Sequence, residues 1–203
     1  ALIADKVPNE SGTLQEAIDI MGSYKQTMTR EDVHDRAGKV VTMAYERGTR
    51  FIRTHVDVDT IIGLESLHAL LDIKKEWEGY LDIQIVAFPQ EGFTDEPENL
   101  KYLEAALEKG ADLIGGIPAM DTDPKRHIAE IFKLAQKYDV DIDMHIDETD
   151  DPGSLTIRTL IEYTKLYGYE GRVTAGHCCS LSANGPSTVD PILDGMHKHD
   201  INC

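Results

Sequence analysis

Apolar residues gather in five short runs set at a nearly constant interval. They are FIRTHVDV (51–58), LDIQIVAF (81–88), ADLIGGIP (111–118), VDIDMHID (140–147) and GRVTAGHC (171–178), and their starts lie 30, 30, 29 and 31 residues apart. Each has strand length and is bounded by Gly, Pro or acidic residues. Several carry Val and Ile on both faces, as strands buried in a parallel sheet do. The end of the chain, Ile201-Asn202-Cys203, reads like the opening of another strand.

Amphipathic helical segments fill the intervals. Residues 31–47 place Val33, Ala37, Val40, Val41 and Ala44 at helical spacing, with Gly48 as a stop. Residues 97–109 begin at Pro97 and end at Gly110. Residues 124–138 have Asp123 as N-cap and Pro124 in the first turn. Residues 152–167 repeat this with Asp151 and Pro152, and stop at Gly168. Asp satisfies orphan N–H groups at a helix start, and Pro has none to satisfy. The first 30 residues are irregular apart from a short helix over 14–21.

A strand–helix unit of thirty residues implies right-handed crossovers and a parallel sheet. A doubly wound sheet usually carries a Gly-rich phosphate turn after its first strand, and no such motif is present. The pattern therefore favours an α/β fold of the TIM type: a partial (β/α)8 barrel of about five βα units, with residues 1–203 as a single partial domain.

Charge narrows the partners. Lys and Arg number 20 against 37 Asp and Glu, a net −17. So acidic a chain repels phosphate backbones and anionic lipid, so neither nucleic acid nor membrane is an expected partner. Cys178, Cys179 and Cys203 make no disulfide framework, which suits a reducing cytoplasm. The amino-terminal residues show no signal-peptide pattern, and both ends read as cut from something longer.

In a barrel, chemistry sits at the C-terminal ends of strands. Those ends carry His55 and Asp57, then Gln90 and Glu91, then His145, Asp147 and Glu148, then His177. His145 at a strand end can offer a neutral imidazole to a metal, and Glu148 can reach the same space as an acid or base. Hydrogen-bonded strand-end histidines beside a surface acidic run explain the same residues. Gln90 can read a ligand through both donor and acceptor. His55 and Asp57 fit ligands or a structural polar layer. His34, His68 and His127 read as solvated helical residues, and His197 and His199 as surface. Cys178 and Cys179 read as packing residues rather than nucleophiles.

Taken in order, SGTLQEAI (11–18), RTHVDV (53–58), FPQEG (88–92), LAQKYD (134–139), MHIDETDD (144–151) and VTAGH (173–177) resemble the cytosine deaminase-like branch of the amidohydrolase superfamily. The resemblance spans nearly the whole chain as an internal fragment covering barrel strands two to six. It implies a TIM barrel with one divalent metal, iron or zinc, that hydrolyses an exocyclic amino or alkylamino group from a cytosine-like nitrogen heterocycle. By position it makes His145 the metal ligand, Glu148 the catalytic proton shuttle, His177 the residue that hydrogen-bonds the attacking hydroxide, and Gln90 the substrate-binding residue. His55 stays structural. The family's His-x-His pair and its eighth-strand Asp have no counterpart here, so the chain alone is expected to be inactive. A small-molecule substrate and a homo-oligomer complete the expectation. A non-catalytic barrel binding module lacking a full metal site, and an unrelated doubly wound domain, remain alternatives.

Overall fold

The structure is a computed structural model that describes residues 2, 3 and 6–203, the side chains of residues 14 and 15 excepted. The amino-terminal reading bears in part on residues 1, 4 and 5, which lie outside the described residues. The strands are β1 (Phe51–Asp57), β2 (Asp82–Phe88), β3 (Leu113–Gly116), β4 (Asp141–Ile146), β5 (Val173–His177) and β6 (Ile201–Asn202). They form one sheet in the order β1-β2-β3-β4-β5-β6, with every neighbouring pair parallel. A doubly wound sheet reverses its strand order part-way; this one never does, which is the order of a barrel wall. The last residues do open a strand, so the sheet holds one more strand than the five runs.

The helices are α1 (Leu14–Lys25), α2 (Arg30–Glu46), α3 (Glu65–Glu76), α4 (Glu98–Glu108), α5 (Pro124–Tyr138), α6 (Ile157–Tyr167) and α7 (Pro186–Lys198). α3 and α7 add to the helical segments read from the sequence, and α1 runs longer than residue 21. Asp123 caps α5 as expected, accepting from Arg126 N at 3.0 Å. α6 departs from expectation: it begins at Ile157, and Asp151-Pro152 sits in the preceding loop. Its first N–H groups are satisfied by Asp147, which comes from the end of β4.

Alternation along the strands separates two faces. Ile83, Ile85, Ala87, Ile142, Met144, Ile146, Val173 and Ala175 are buried in the apolar core with residues of the helices. The other face is polar. Arg53 donates to Asp143 Oδ2 at 2.8 Å and to Gln84 Oε1 at 3.0 Å, joining β1, β2 and β4 across the inner face. His55 Nε2 lies 3.2 Å from Asp143 Oδ1. Burial works against the charge on Asp143, but hydrogen bonds with His55 and Arg53 outweigh it and hold its carboxyl below the usual carboxylate range. His55 thus belongs to an inner polar layer.

Candidate active site

The C-terminal strand ends are built by breaking alternation. In register, Ile146 pairs with His177, and Ile146 faces the helices. A regular His177 would face them too. Instead its φ is +72°, and the left-handed turn takes the residue off the strand pattern. Its ring then packs 4.5 Å from that of His145, edge to face at 85°. Asp147, at φ +51°, breaks alternation at the end of β4 in the opposite sense. Its carboxylate turns outward to α6, and Glu148 turns inward. Non-glycine residues in this region cost of order 1–3 kcal/mol each, and such strain gathers at functional sites.

The result is a compact cluster. Glu148 Oε2 lies 3.3 Å from His177 Nε2 and 4.0 Å from His145 Nδ1. One ligand atom from each of the three residues falls within 4.8 Å of the others.

Two glycines make the room. A Cβ on Gly176 would stand 3.7 Å from His145 Cδ2 and 3.3 Å from Met144 O. A Cβ on Gly115 would stand 2.6 Å from Phe88 Cδ2. Because β3 has no side chain there, Phe88 of β2 reaches across it, and its ring lies 4.5 Å from that of His145 on β4. His55 packs at 4.7 Å from His145. Burial, then the neighbouring His55 and His177, push His145 down to about 4, so its imidazole is neutral at ordinary pH with a lone pair to give.

The chain as a whole is similar to known proteins. No family model matches the chain. It is 36% identical over 177 residues to N-isopropylammelide isopropyl amidohydrolase of Pseudomonas sp. (strain ADP), covering 86% of this chain and 44% of that protein. It is 29% identical over 202 residues to pterin deaminase of Rhizobium rhizogenes, covering 98% of this chain and 46% of that protein. Its fold superposes on 5-methylcytosine deaminase from Klebsiella pneumoniae, liganded with 5-fluorocytosine, with a TM-score of 0.91 and 36% identity. That match covers 96% of this chain and 48% of the other. The chain belongs to the cytosine deaminase-like branch of the amidohydrolase superfamily. It spans about half the length of the relatives it matches.

Within this amidohydrolase barrel wall, Gln90 stands apart from the cluster. It follows β2, at the same end of the sheet but two strands from β4, roughly 10 Å by strand spacing. It is half-buried in a turn closed by Gly92 N donating to Pro89 O at 2.9 Å. Among the described residues its side-chain amide has no hydrogen-bond partner.

Other expectations need correction. His127 is buried rather than solvated. Ile117 N donates to its Nε2 at 3.0 Å, so the proton sits on Nδ1, which donates to Asp121 at 2.5 Å. Asp121 also accepts from Phe93 N and Thr94 N, so this pair ties the loops after β2 and β3 together. Asp147 is buried, not part of a surface acidic run. His199 is half-buried, with Nδ1 3.3 Å from Glu170 Oε1, while His197 is exposed. All three cysteines are free. Cys178 is buried, and burial with the nearby Cys203 pushes its thiol up to about 12, which disarms it as a nucleophile. Cys179 is exposed.

Proposed function

We propose that the full-length protein is a metal-dependent hydrolytic deaminase that removes an exocyclic amino or alkylamino group from a cytosine-like nitrogen heterocycle. The observation that carries this is the convergence of His145, Glu148 and His177 at the C-terminal strand ends. The named relatives support it: one is an amidohydrolase of N-isopropylammelide, one a pterin deaminase, and one a 5-methylcytosine deaminase.

A neutral half-buried imidazole with a carboxylate and a second imidazole nearby suits iron or zinc. His145 is the residue of this chain that would hold the ion. When bound, such an ion lets water react as hydroxide near neutral pH. Glu148 is the proton shuttle: its carboxylate takes a proton from the attacking water and passes it to the ring nitrogen beside the reacting carbon. His177, 3.3 Å from Glu148, orients that carboxylate and hydrogen-bonds the water oxygen. Oxygen ends on the ring carbon, and the amine leaves with the remaining proton. Gln90 meets the ring's amide edge with its unengaged amide.

In this reading residues 1–203 are one partial barrel domain that is inactive alone, since the family's other metal ligands have no counterpart in it. A cytoplasmic homo-oligomer belongs to the same reading. The free thiols fit a reducing compartment, and no helix among the described residues is long and apolar enough to cross a membrane.

The test is amine release by the full-length protein, with metal content measured in parallel, on cytosine, 5-methylcytosine, N-isopropylammelide and pterin. Release of ammonia or isopropylamine from one of them is expected. No release from any of them, with metal well below stoichiometric, would favour the non-catalytic barrel lacking a full metal site instead.

A further inference from the structure

Lys25, the last residue of α1, is 2% exposed, and its ammonium meets three carboxylates. Nζ lies 2.8 Å from Asp57 Oδ2, 2.9 Å from Asp59 Oδ2 and 2.7 Å from Glu91 Oε1. These come from three places: the end of β1, the loop after β1, and the turn after β2. Burial opposes the charge on Lys25, but the three carboxylates outweigh it and keep it protonated.

Neither loop is held by Lys25 alone. Asp59 Oδ1 accepts from Ile61 N at 2.9 Å and Ile62 N at 3.0 Å, so its two oxygens join the loop's own turn to Lys25. Asn99, buried on α4, accepts from Thr60 N at 2.9 Å and donates to Gly92 O at 2.9 Å. Gly92 is left-handed at φ +70°, which the turn requires. The turn 89–92 is therefore fixed on one side by Asn99 and on the other by Lys25 through Glu91. Gln90 immediately precedes both anchored residues, with its amide unengaged.

We propose that Lys25 is a positioning residue for the ring-reading turn: by tying Glu91 to Asp57 and Asp59 it sets where Gln90 stands relative to the strand ends that carry the reacting groups. This rests on the reading of Gln90 as the residue that meets the ring. It makes α1, remote in sequence from the cluster, a determinant of substrate affinity. A charged lysine suits the task. One ammonium has three donors, so it can fix three separate chain segments at once. Rigid support of this kind is what keeps a binding group within productive geometry.

The test uses the full-length protein and two sets of variants. Lys25→Met leaves three carboxylates facing one another and can fail to fold, so Glu91 carries the argument. Its side chain is 32% exposed, and Glu91→Ala removes only the link to the turn. Expected for Glu91→Ala are faster amide exchange at Gly92 and a KM raised about tenfold with kcat within about threefold. Exchange at Ile61 and Ile62 should change little. Glu91→Gln keeps an acceptor for Lys25 and should restore most of the affinity. A folded Glu91→Ala protein with wild-type exchange at Gly92 and wild-type KM would overturn the proposal. So would a loss confined to kcat. Exchange needs no substrate: if it changes while the wild-type protein turns over none of the heterocycles, the tie exists and the deaminase reading has failed instead.

Discussion

Glu148 Oε2 stands 3.3 Å from His177 Nε2, although the two residues belong to the exits of different strands. The contact forms because Asp147 and His177 both leave their strands in the left-handed region, which swings Glu148 inward and His177 toward His145. Glu148→Gln keeps the size and a polar group beside His177 but cannot carry a proton. In the full-length enzyme it should lower kcat by about 10²- to 10⁴-fold with metal content unchanged. Metal analysis beside steady-state kinetics checks this, and undiminished turnover would remove Glu148 from the shuttle role.

His145 should behave differently. His145→Asn removes the neutral imidazole, so metal content after dialysis should fall along with turnover. Readdition of iron or zinc at high concentration should restore part of the activity. Full metal content in this variant would show that His145 is not a ligand.

Much of this architecture was legible because the signals are local. A thirty-residue period, Gly stops and Asp-Pro starts need only neighbours in sequence, and strand exits follow from the period. What stayed hidden depends on residues far apart in the chain. Asp151-Pro152 looks like a helix start, but the cap of α6 comes from Asp147, ten residues before Ile157. His127 lies on a helix of ordinary amphipathic pattern, yet it is buried because Gly116 leaves space: a Cβ there would meet His127 Nε2 at 2.5 Å. Lys25 gave no local sign of the three carboxylates around it. The alternation Arg53-His55 against Asp143-His145, polar on one face of two strands, did contain the inner polar layer, and it could have been read from the runs themselves.

Gly115 should be intolerant of any side chain. A Cβ there would meet Phe88 Cδ2 at 2.6 Å, Asp143 O at 2.8 Å and Val86 Cγ1 at 2.9 Å. The backbone oxygen cannot yield as a flexible side chain can. Gly115→Ala should cost about 1–3 kcal/mol in denaturant unfolding. It should also lower turnover, since Phe88 can no longer lie across β3 against His145. A stable variant of normal activity would mean that this packing does not matter.

The His127–Asp121 pair gives the fold an acid sensitivity. Burial holds the folded imidazole's pKa below its ordinary value, although the hydrogen bond and charge of Asp121 oppose it. A second proton would have to sit on Nε2, which already accepts from Ile117 N. The unfolded chain takes up that proton below about pH 6.5 and the folded chain does not, so stability falls as pH drops through that range. Asp121 adds a loss at lower pH. Burial raises its pKa, but the hydrogen bond with His127 and those from Phe93 and Thr94 outweigh this and hold it below its usual value. His127→Gln should be less stable at pH 8 and should flatten the slope of stability between pH 5 and 6.5. An unchanged slope would place the acid sensitivity elsewhere.

Asp147 tests whether strain and capping at the strand exit can be separated. Its Oδ1 accepts from Ser154 Oγ at 3.1 Å, Thr156 N at 2.9 Å and Thr156 Oγ1 at 2.7 Å, and its Oδ2 accepts from Ile157 N at 3.0 Å. One buried carboxylate thus organises the whole loop between β4 and α6, including the position of Glu148 beside it. Asp147→Gly tolerates the left-handed backbone and removes all four bonds. Asp147→Asn also tolerates that backbone and keeps the bonds to Oδ1, but it points an amide N–H₂ at Ile157 N. Asp147→Ala loses the bonds and keeps the strain. Stability should therefore fall in the order Asp, Asn, Gly, Ala, with about 1–2 kcal/mol lost on removing the cap and a further increment for Ala where Gly has no strain. Turnover should fall in the Gly variant even at temperatures where it is fully folded, because the loop that places Glu148 beside His177 and His145 has then lost those four bonds. If Asp147→Gly is as active as the parent while measurably less stable, Asp147 supports only α6, and the left-handed exit alone is sufficient to aim Glu148.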